Sequence, residues 1–170
     1  MVIYRDLSAF LFISNNKRNL ESLRKDINKK FLVNIYKITY GKENIGCYGK
    51  HVYKYWYNNT NLSKFLYDIG TPKGSKVLTI FDIPTWIKEN KEFAREYLRI
   101  AFLCEGTKFK VSKNSERIQF NINKAEKLLD NGLNFINSLK ILLLKFNIYS
   151  SKIRITNSNN KEGWHPNQAT

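Results

Sequence analysis

Glu105 and Gly106 close a stretch in which apolar residues recur at Phe93, Tyr97, Leu98, Ala101, Phe102 and Cys104. Steps of three and four predict a helix with one broad buried stripe. A carboxylate at the C-terminal end of a helix faces the negative end of the helix dipole, which disfavours it. Something positive should therefore stand beside Glu105, and a bound divalent cation or a basic side chain would each serve. The plainer reading makes Glu105 a solvated surface acid and Gly106 an ordinary left-handed residue after the helix. Other reactive types are scarce. His51 and His165 are too few and too scattered for a zinc site. Cys47 and Cys104 fit buried free thiols in a reducing compartment better than a disulfide or a metal pair.

Charge points to the partner. The chain has 170 residues, with 29 Lys+Arg against 14 Asp+Glu and a net charge of +15. Such an excess answers to a polyanion, through an attraction that salt weakens steeply. With 42% hydrophobic residues the chain can bury a sizeable interior, as one domain or two small halves sharing a core. No apolar run approaches 18 residues and no strongly basic amphipathic helix stands out, so a membrane partner is not expected. The apolar patch at residues 9–13 lacks a basic leader and a small-residue cleavage site. The expectation is an intracellular protein, not secreted. Richness in Lys, Asn and Ile suggests an AT-rich genome, which suits an archaeal cytoplasm or an organelle.

Several elements must position the acid. Residues 7–14 are rich in Phe, Leu and Ile and predict a strand, and residues 17–30, with Leu20, Leu23 and Ile27 in register, predict an amphipathic helix with a basic outer face. A hairpin is expected from 33–40 and 48–57, with a kink allowed by Gly49, then a short helix at 62–69 stopped by Gly70. Pro72, Gly74 and Pro84 mark 71–90 as a linker in which 77–81 is extended. After the central helix, 107–112 and 117–122 predict a second hairpin. Asn123 is then expected to cap a helix over 124–146, before a strand at 152–156.

The order strand, helix, strand occurs on both sides of the central helix, which suggests an internal repeat. Phe10-Leu-Phe-Ile-Ser-Asn-Asn16 parallels Ile118-Gln-Phe-Asn-Ile-Asn-Lys124, and Asn34-Ile-Tyr-Lys-Ile-Thr39 parallels Ser151-Lys-Ile-Arg-Ile-Thr156. The first half lacks a leading helix and the second lacks a final hairpin partner and helix. The expected boundaries are 1–74 for the first half-repeat, 75–91 for the linker, 92–156 for the second half-repeat and 157–170 for a disordered tail.

This order and the central motif resemble the LAGLIDADG homing endonuclease family. Leu98-Arg-Ile-Ala-Phe-Leu-Cys-Glu-Gly106 is similar to the family's signature in its variant Leu-Arg-Gly-Leu-Phe-Asp-Ala-Glu-Gly. Upstream, Leu66-Tyr-Asp-Ile-Gly-Thr-Pro-Lys-Gly-Ser-Lys76 and Ile83-Pro-Thr-Trp-Ile87 look like its inter-repeat segment. Downstream, Leu142-Leu-Leu-Lys-Phe-Asn-Ile-Tyr-Ser-Ser-Lys152 resembles its helix-to-strand passage. The likeness covers residues 7–156. Ile100 stands where the family usually has a glycine, and Leu103 replaces a common Asp.

The resemblance implies an α+β fold of two αββαββα pseudo-repeats, whose antiparallel sheets form a saddle for double-stranded DNA. It implies that Glu105 is the catalytic acid and, with Gly106 beside it, the Mg²⁺ position. The implied DNA-facing residues are Lys108, Lys110 and Ser112, then Arg117, Gln119 and Asn121, with Lys152 and Arg154 beyond. Asn34, Lys37 and Tyr55 are comparable on the first side. Arg117 and Gln119 have the best geometry for base contacts, and Lys73 and Lys76 would meet phosphates or nothing at all. With one acid per chain, Mg²⁺-dependent phosphodiester hydrolysis would need a homodimer or a second subunit joined through the signature helix. Two alternatives stand beside this: a non-catalytic nucleic-acid binder on the same scaffold, such as an RNA maturase or a regulator, and a basic structural or ribosome-associated protein.

Overall fold

In the computed structural model, residues 2–14, 16–34, 39–43, 50–113 and 115–156 are described. They form β1 (Val2–Ile3), β2 (Ala9–Ser14), α1 (Lys17–Phe31), β3 (Thr39–Glu43), β4 (Lys50–Asn58) and α2 (Thr60–Asp68). Then come α3 (Thr85–Glu89), α4 (Lys91–Glu105), β5 (Gly106–Ser112), β6 (Ser115–Phe120) and α5 (Leu129–Leu144), the last preceded by a 3-10 turn at Glu126–Leu128. The protein is mixed α and β, and both of its sheets are antiparallel. It divides into two units, Met1–Thr60 with Arg154–Thr170, and Asn61–Ile153. Lys37, Cys47, Gly49, His165 and the tail 157–170 fall outside the described residues.

The first unit is a sheet in the order β1-β2-β4-β3 with α1 against β2 and β4. Asn16 starts α1: its side-chain oxygen accepts from the amides of Arg18 and Asn19 at 3.0 and 3.4 Å, satisfying donors that a first turn leaves open. Phe10 lies opposite Tyr57 and Phe12 opposite Tyr55, so period two gathers these rings on one face. Phe12 and Tyr55 are 5.0 Å apart, and Phe10 and Tyr55 are fully buried. Tyr55 was expected on the DNA-facing surface and is instead core. Burial pushes its phenol well above the usual range, offset only in part by the Arg24 charge on α1. Its neighbours Lys54 and Trp56 take the opposite face, where Trp56 stacks on Tyr4 at 4.3 Å.

The second unit packs around Ile83 and Ile87, Ala94 and Leu98 of α4, and Phe135, Leu139 and Leu142 of α5. Asn90 caps α4, accepting from the Glu92 and Phe93 amides at 2.9 and 3.0 Å. Gly70 ends α2 with φ +107, in the left-handed region open to glycine. The stretch 75–91, expected as a linker, is fastened to the core. The Asn131 amide brackets the backbone of Phe81, accepting at 3.3 Å and donating at 3.0 Å. Lys124 donates to the Thr79 carbonyl at 2.6 Å and lies over the Phe81 ring at 3.9 Å. The same stretch contains α3. Asn123 caps nothing: α5 begins at Leu129, after the 3-10 turn, because Lys124 and the Ala125 amide are engaged with Thr79 and Val77. Residues 151–156 form no strand, contrary to expectation, since no described strand pairs with them.

Two stability measurements test this packing. Phe135 is 4% exposed at the centre of the second core and Ile141 is 60% exposed. Phe135→Ala should therefore cost about 3–5 kcal/mol and Ile141→Ala no more than about 0.5 kcal/mol, read from urea unfolding. The second test concerns Asp82. Partial burial alone would raise its carboxyl, but hydrogen bonds from Lys88, the Ile83 amide and Ser138, with the Lys88 charge, outweigh it and hold it below the ordinary value. A carboxyl lowered by folding stabilises above its unfolded pKa, and that contribution fades as pH falls through the lowered one. Lys88→Met should cost up to about 1 kcal/mol near neutral pH, the range of a part-exposed pair, and much less near pH ~2, compared by urea midpoints.

Candidate functional site

The acid stands at a junction without a loop. Glu105 is the last residue of α4 and Gly106 the first of β5. Gly106 is extended, with φ −79 and ψ 136, and its amide donates to the Phe102 carbonyl. It is not the left-handed residue of the plainer expectation. Glycine is needed for clearance: a Cβ there would lie 2.3 Å from the Phe102 oxygen.

Of the two partners expected for Glu105, the structure supplies the basic side chain. Lys76 Nζ lies 3.5 Å from Glu105 Oε1, and both side chains are about half exposed, at 50% and 48%. Lys76 sits in a turn closed by the Leu78 amide on the Ser75 carbonyl and the Thr79 hydroxyl on the Lys73 carbonyl, each at 3.0 Å. Beyond it, Val77, Thr79 and Phe81 are tied to residues 124–131. Among the described residues no three His, Cys, Asp or Glu side chains gather as metal ligands. One carboxylate paired with an ammonium is not a complete Mg²⁺ donor set for a hard cation that takes several oxygens.

The expected contact residues on the hairpin divide between its faces. Residues opposite each other in an antiparallel pair share a face, and the register sets Thr107 against Gln119 and Phe109 against Arg117. On the other face stand Gly106 with Phe120, Lys108 with Ile118, and Lys110 with Glu116. Phe120 marks this second face as the core side, since it packs on Phe102 at 5.2 Å and on Phe135 at 6.4 Å. Lys108 and Lys110 therefore do not share a surface with Arg117 and Gln119, and Lys108 pairs with Glu116 at 2.7 Å. The irregularity between Lys110 and Ser112 shifts the parity. Ser112 thus joins the outward face opposite Ser115. Asn121 stands two residues past Gln119 and accepts its amide at 2.8 Å, extending the row Arg117, Gln119, Asn121.

Asn34, Lys152 and Arg154 are exposed, outside any strand. Parity misplaced the first sheet by one residue: Lys54 and Trp56, not Tyr55, lie opposite the core face, and Trp56 is 49% exposed. The central helix also differs from its expected stripe. Its buried residues are Ala94 and Leu98, whereas Phe93, Ile100, Leu103 and Cys104 are exposed. Helices α3 and α5 pack on the side of α4 that bears Ala94 and Leu98, and Trp86 of α3 also meets Phe93 at 5.4 Å. No described helix is long and apolar enough to cross a membrane.

No family model matches the chain, and no solved structure matches it. It is similar to the tRNA-splicing ligase RtcB of Methanocaldococcus jannaschii, at 36% identity over 89 residues, which are 51% of this chain and 9% of that protein. The chain thus spans a small fraction of that relative's length.

The junction makes its own prediction. Gly106→Ala must push the Phe102 carbonyl away or bend the chain, so it should destabilise by about 1–3 kcal/mol, the range for overpacking. Thr107→Ala, at an exposed neighbour, should change stability by no more than about 0.5 kcal/mol. Thermal unfolding of the two variants would check both.

Proposed function

We propose that this chain is a double-stranded DNA-binding protein of the LAGLIDADG homing endonuclease type, which hydrolyses phosphodiester bonds only when its single acid is joined by a second. The observation that carries the proposal is the continuity of Glu105, Gly106 and β5. Helix tip and strand are one backbone path, so the acid holds a fixed relation to the outward row Arg117, Gln119, Asn121. Guanidinium and amide groups on such a row suit the hydrogen-bonding edges of guanine and adenine in a major groove. The net charge of +15 suits the phosphates.

The second acid would come from another copy or another polypeptide. The side of α4 that bears Ile100 and Leu103 supports that pairing, because they are 45% and 63% exposed. Paired through α4, two chains would bring two Glu105 carboxylates to hold Mg²⁺. Bound between them, the ion would supply the Lewis acid for phosphodiester hydrolysis. Lys76 would then be displaced from Glu105 toward a phosphate.

A second reading is favoured by the Lys76–Glu105 pair itself. With its one acid neutralised, the same scaffold would bind nucleic acid without cutting it. The similarity to a tRNA-splicing ligase covers too little of that protein to carry ligase chemistry across, though it keeps RNA among the partners to be tried.

The expected result is Mg²⁺-dependent cleavage of a recognised duplex that rises with protein concentration and is lost in Glu105→Gln while binding persists. Leu103→Arg should lower cleavage by more than tenfold at equal protein by preventing pairing, with the mass in solution falling to one chain. Robust cleavage by a proven monomer would overturn the pairing. Binding without cleavage at any concentration would select the second reading.

A further inference from the structure

One aromatic ring stands among the residues that the hairpin turns away from the core. Phe109 lies in the middle of β5, 39% exposed, directly opposite Arg117. On the core side Phe120 stacks on Phe102 and Phe135, whereas Phe109 has no ring partner among the described residues. Thr107 with Gln119 stands on one side of it and Ser112 with Ser115 on the other. On the outward face Phe109 thus stands among polar residues, with Val111, 47% exposed, at the irregularity beside them. Every polar neighbour there can hydrogen-bond a base edge or a phosphate, and Phe109 cannot.

Strand and duplex spacings match. A strand advances about 3.4 Å per residue, and bases along one DNA strand are about 3.4 Å apart. Side chains two residues apart on one face thus address positions about two base steps apart. The Cβ atoms of Phe109 and Arg117 are one cross-strand spacing, about 5 Å, apart. Phe109 falls within two base pairs of the edge that Arg117 or Gln119 would contact. In the major groove the base edges carry one apolar group, the C5 methyl of thymine.

Resting on the duplex-binding reading above, we propose that Phe109 packs on the C5 methyl of a thymine within two base pairs of the purine contacted by Arg117 or Gln119. The hairpin then reads that thymine by apolar contact, beside purines read by hydrogen bonds. Stacking on an unpaired base is the competing use of such a ring, and it asks for an open aromatic face. A paired base turns its edge and not its ring face to the major groove, so the methyl is the group a ring can meet there.

The test leaves the protein untouched in its first arm. Duplexes enriched by the full chain from a random library are remade with deoxyuridine in place of each thymidine in turn, which removes one methyl group and no hydrogen bond. One replacement should weaken wild-type binding about fourfold, the worth of one buried methyl-sized group. In the second arm, Phe109→Ser should bind the thymine and uracil duplexes equally, and Phe109→Leu should keep the preference. If a duplex sequence is enriched but every uracil replacement is neutral, the methyl contact is overturned and duplex recognition stands. If no duplex is enriched and the chain instead binds a single-stranded oligonucleotide in a Phe109-dependent way, both readings are overturned.

Discussion

The Phe102 carbonyl and the Gly106 amide meet at the one place where α4 becomes β5, and the second unit is arranged by that contact. A helix normally leaves its chain through a turn whose conformation can vary. Here the backbone goes from the last helical residue straight into a strand, with 2.3 Å between the Phe102 oxygen and the place where a side chain would begin. The direction of β5 is set by α4, and α4 is set by Ile83, Ile87, Phe135, Leu139 and Leu142 around Ala94 and Leu98. The hairpin beyond Phe120 is exposed on both faces, so its orientation depends on this root.

The position of Lys76 follows from a different set of contacts. A lysine in an unfastened linker would sample a wide volume and neutralise Glu105 only part of the time. The bracket of Asn131 on Phe81 and the reach of Lys124 to Thr79 fix the stretch that follows Lys76. Lys124 is held so closely that burial lowers its pKa. The chain thus spends a partly buried cation and a partly buried amide on tethering an irregular segment. This is the kind of polar satisfaction that such a segment requires when it crosses a core.

What could be read in the sequence was whatever depends on local pattern. Gly70 marks the end of α2 by its lack of a side chain, and the apolar spacing of α1, α2 and α4 was legible, whereas α3 fell within the expected linker and α5 begins later than a cap at Asn123 would place it. The pairing of β5 with β6 was legible too, from two β-prone runs around a short turn. Facing was not. Whether Tyr55 or Trp56 points inward depends on which side α1 covers, and a run of aromatics reads alike in either parity. The division of Lys108 and Lys110 from Arg117 and Gln119 has the same origin, because alternation was applied to each strand separately and the register joins odd positions of one strand to odd positions of the other. The irregularity at Ser112 was equally hidden. The buried stripe of α4 was drawn too wide, since periodicity shows which residues share a side and not whether a neighbour covers it.

In the proposed assembly the exposed apolar residues of α4 and its single acid have one physical explanation. Exposed apolar residues scattered singly are ordinary, but Ile100 and Leu103 lie along one side of one helix, and Cys104 beside Glu105 is exposed there as well. A contiguous apolar stripe is the kind of surface that another protein surface can cover. The Lys76–Glu105 pair, half exposed at 3.5 Å, is worth at most about 1 kcal/mol, so it neither holds the acid in place strongly nor resists exchange for a more highly charged partner. Covering the stripe with a second α4 would exclude water from the helix tips and bring like charges together there. Two adjacent carboxylates repel, and that repulsion is relieved by proton uptake or by a cation between them. The same contact that buries Ile100 and Leu103 would thus create the demand for a divalent ion that a lone Glu105 does not make. In the proposed assembly, therefore, apolar burial and cation binding are coupled through α4.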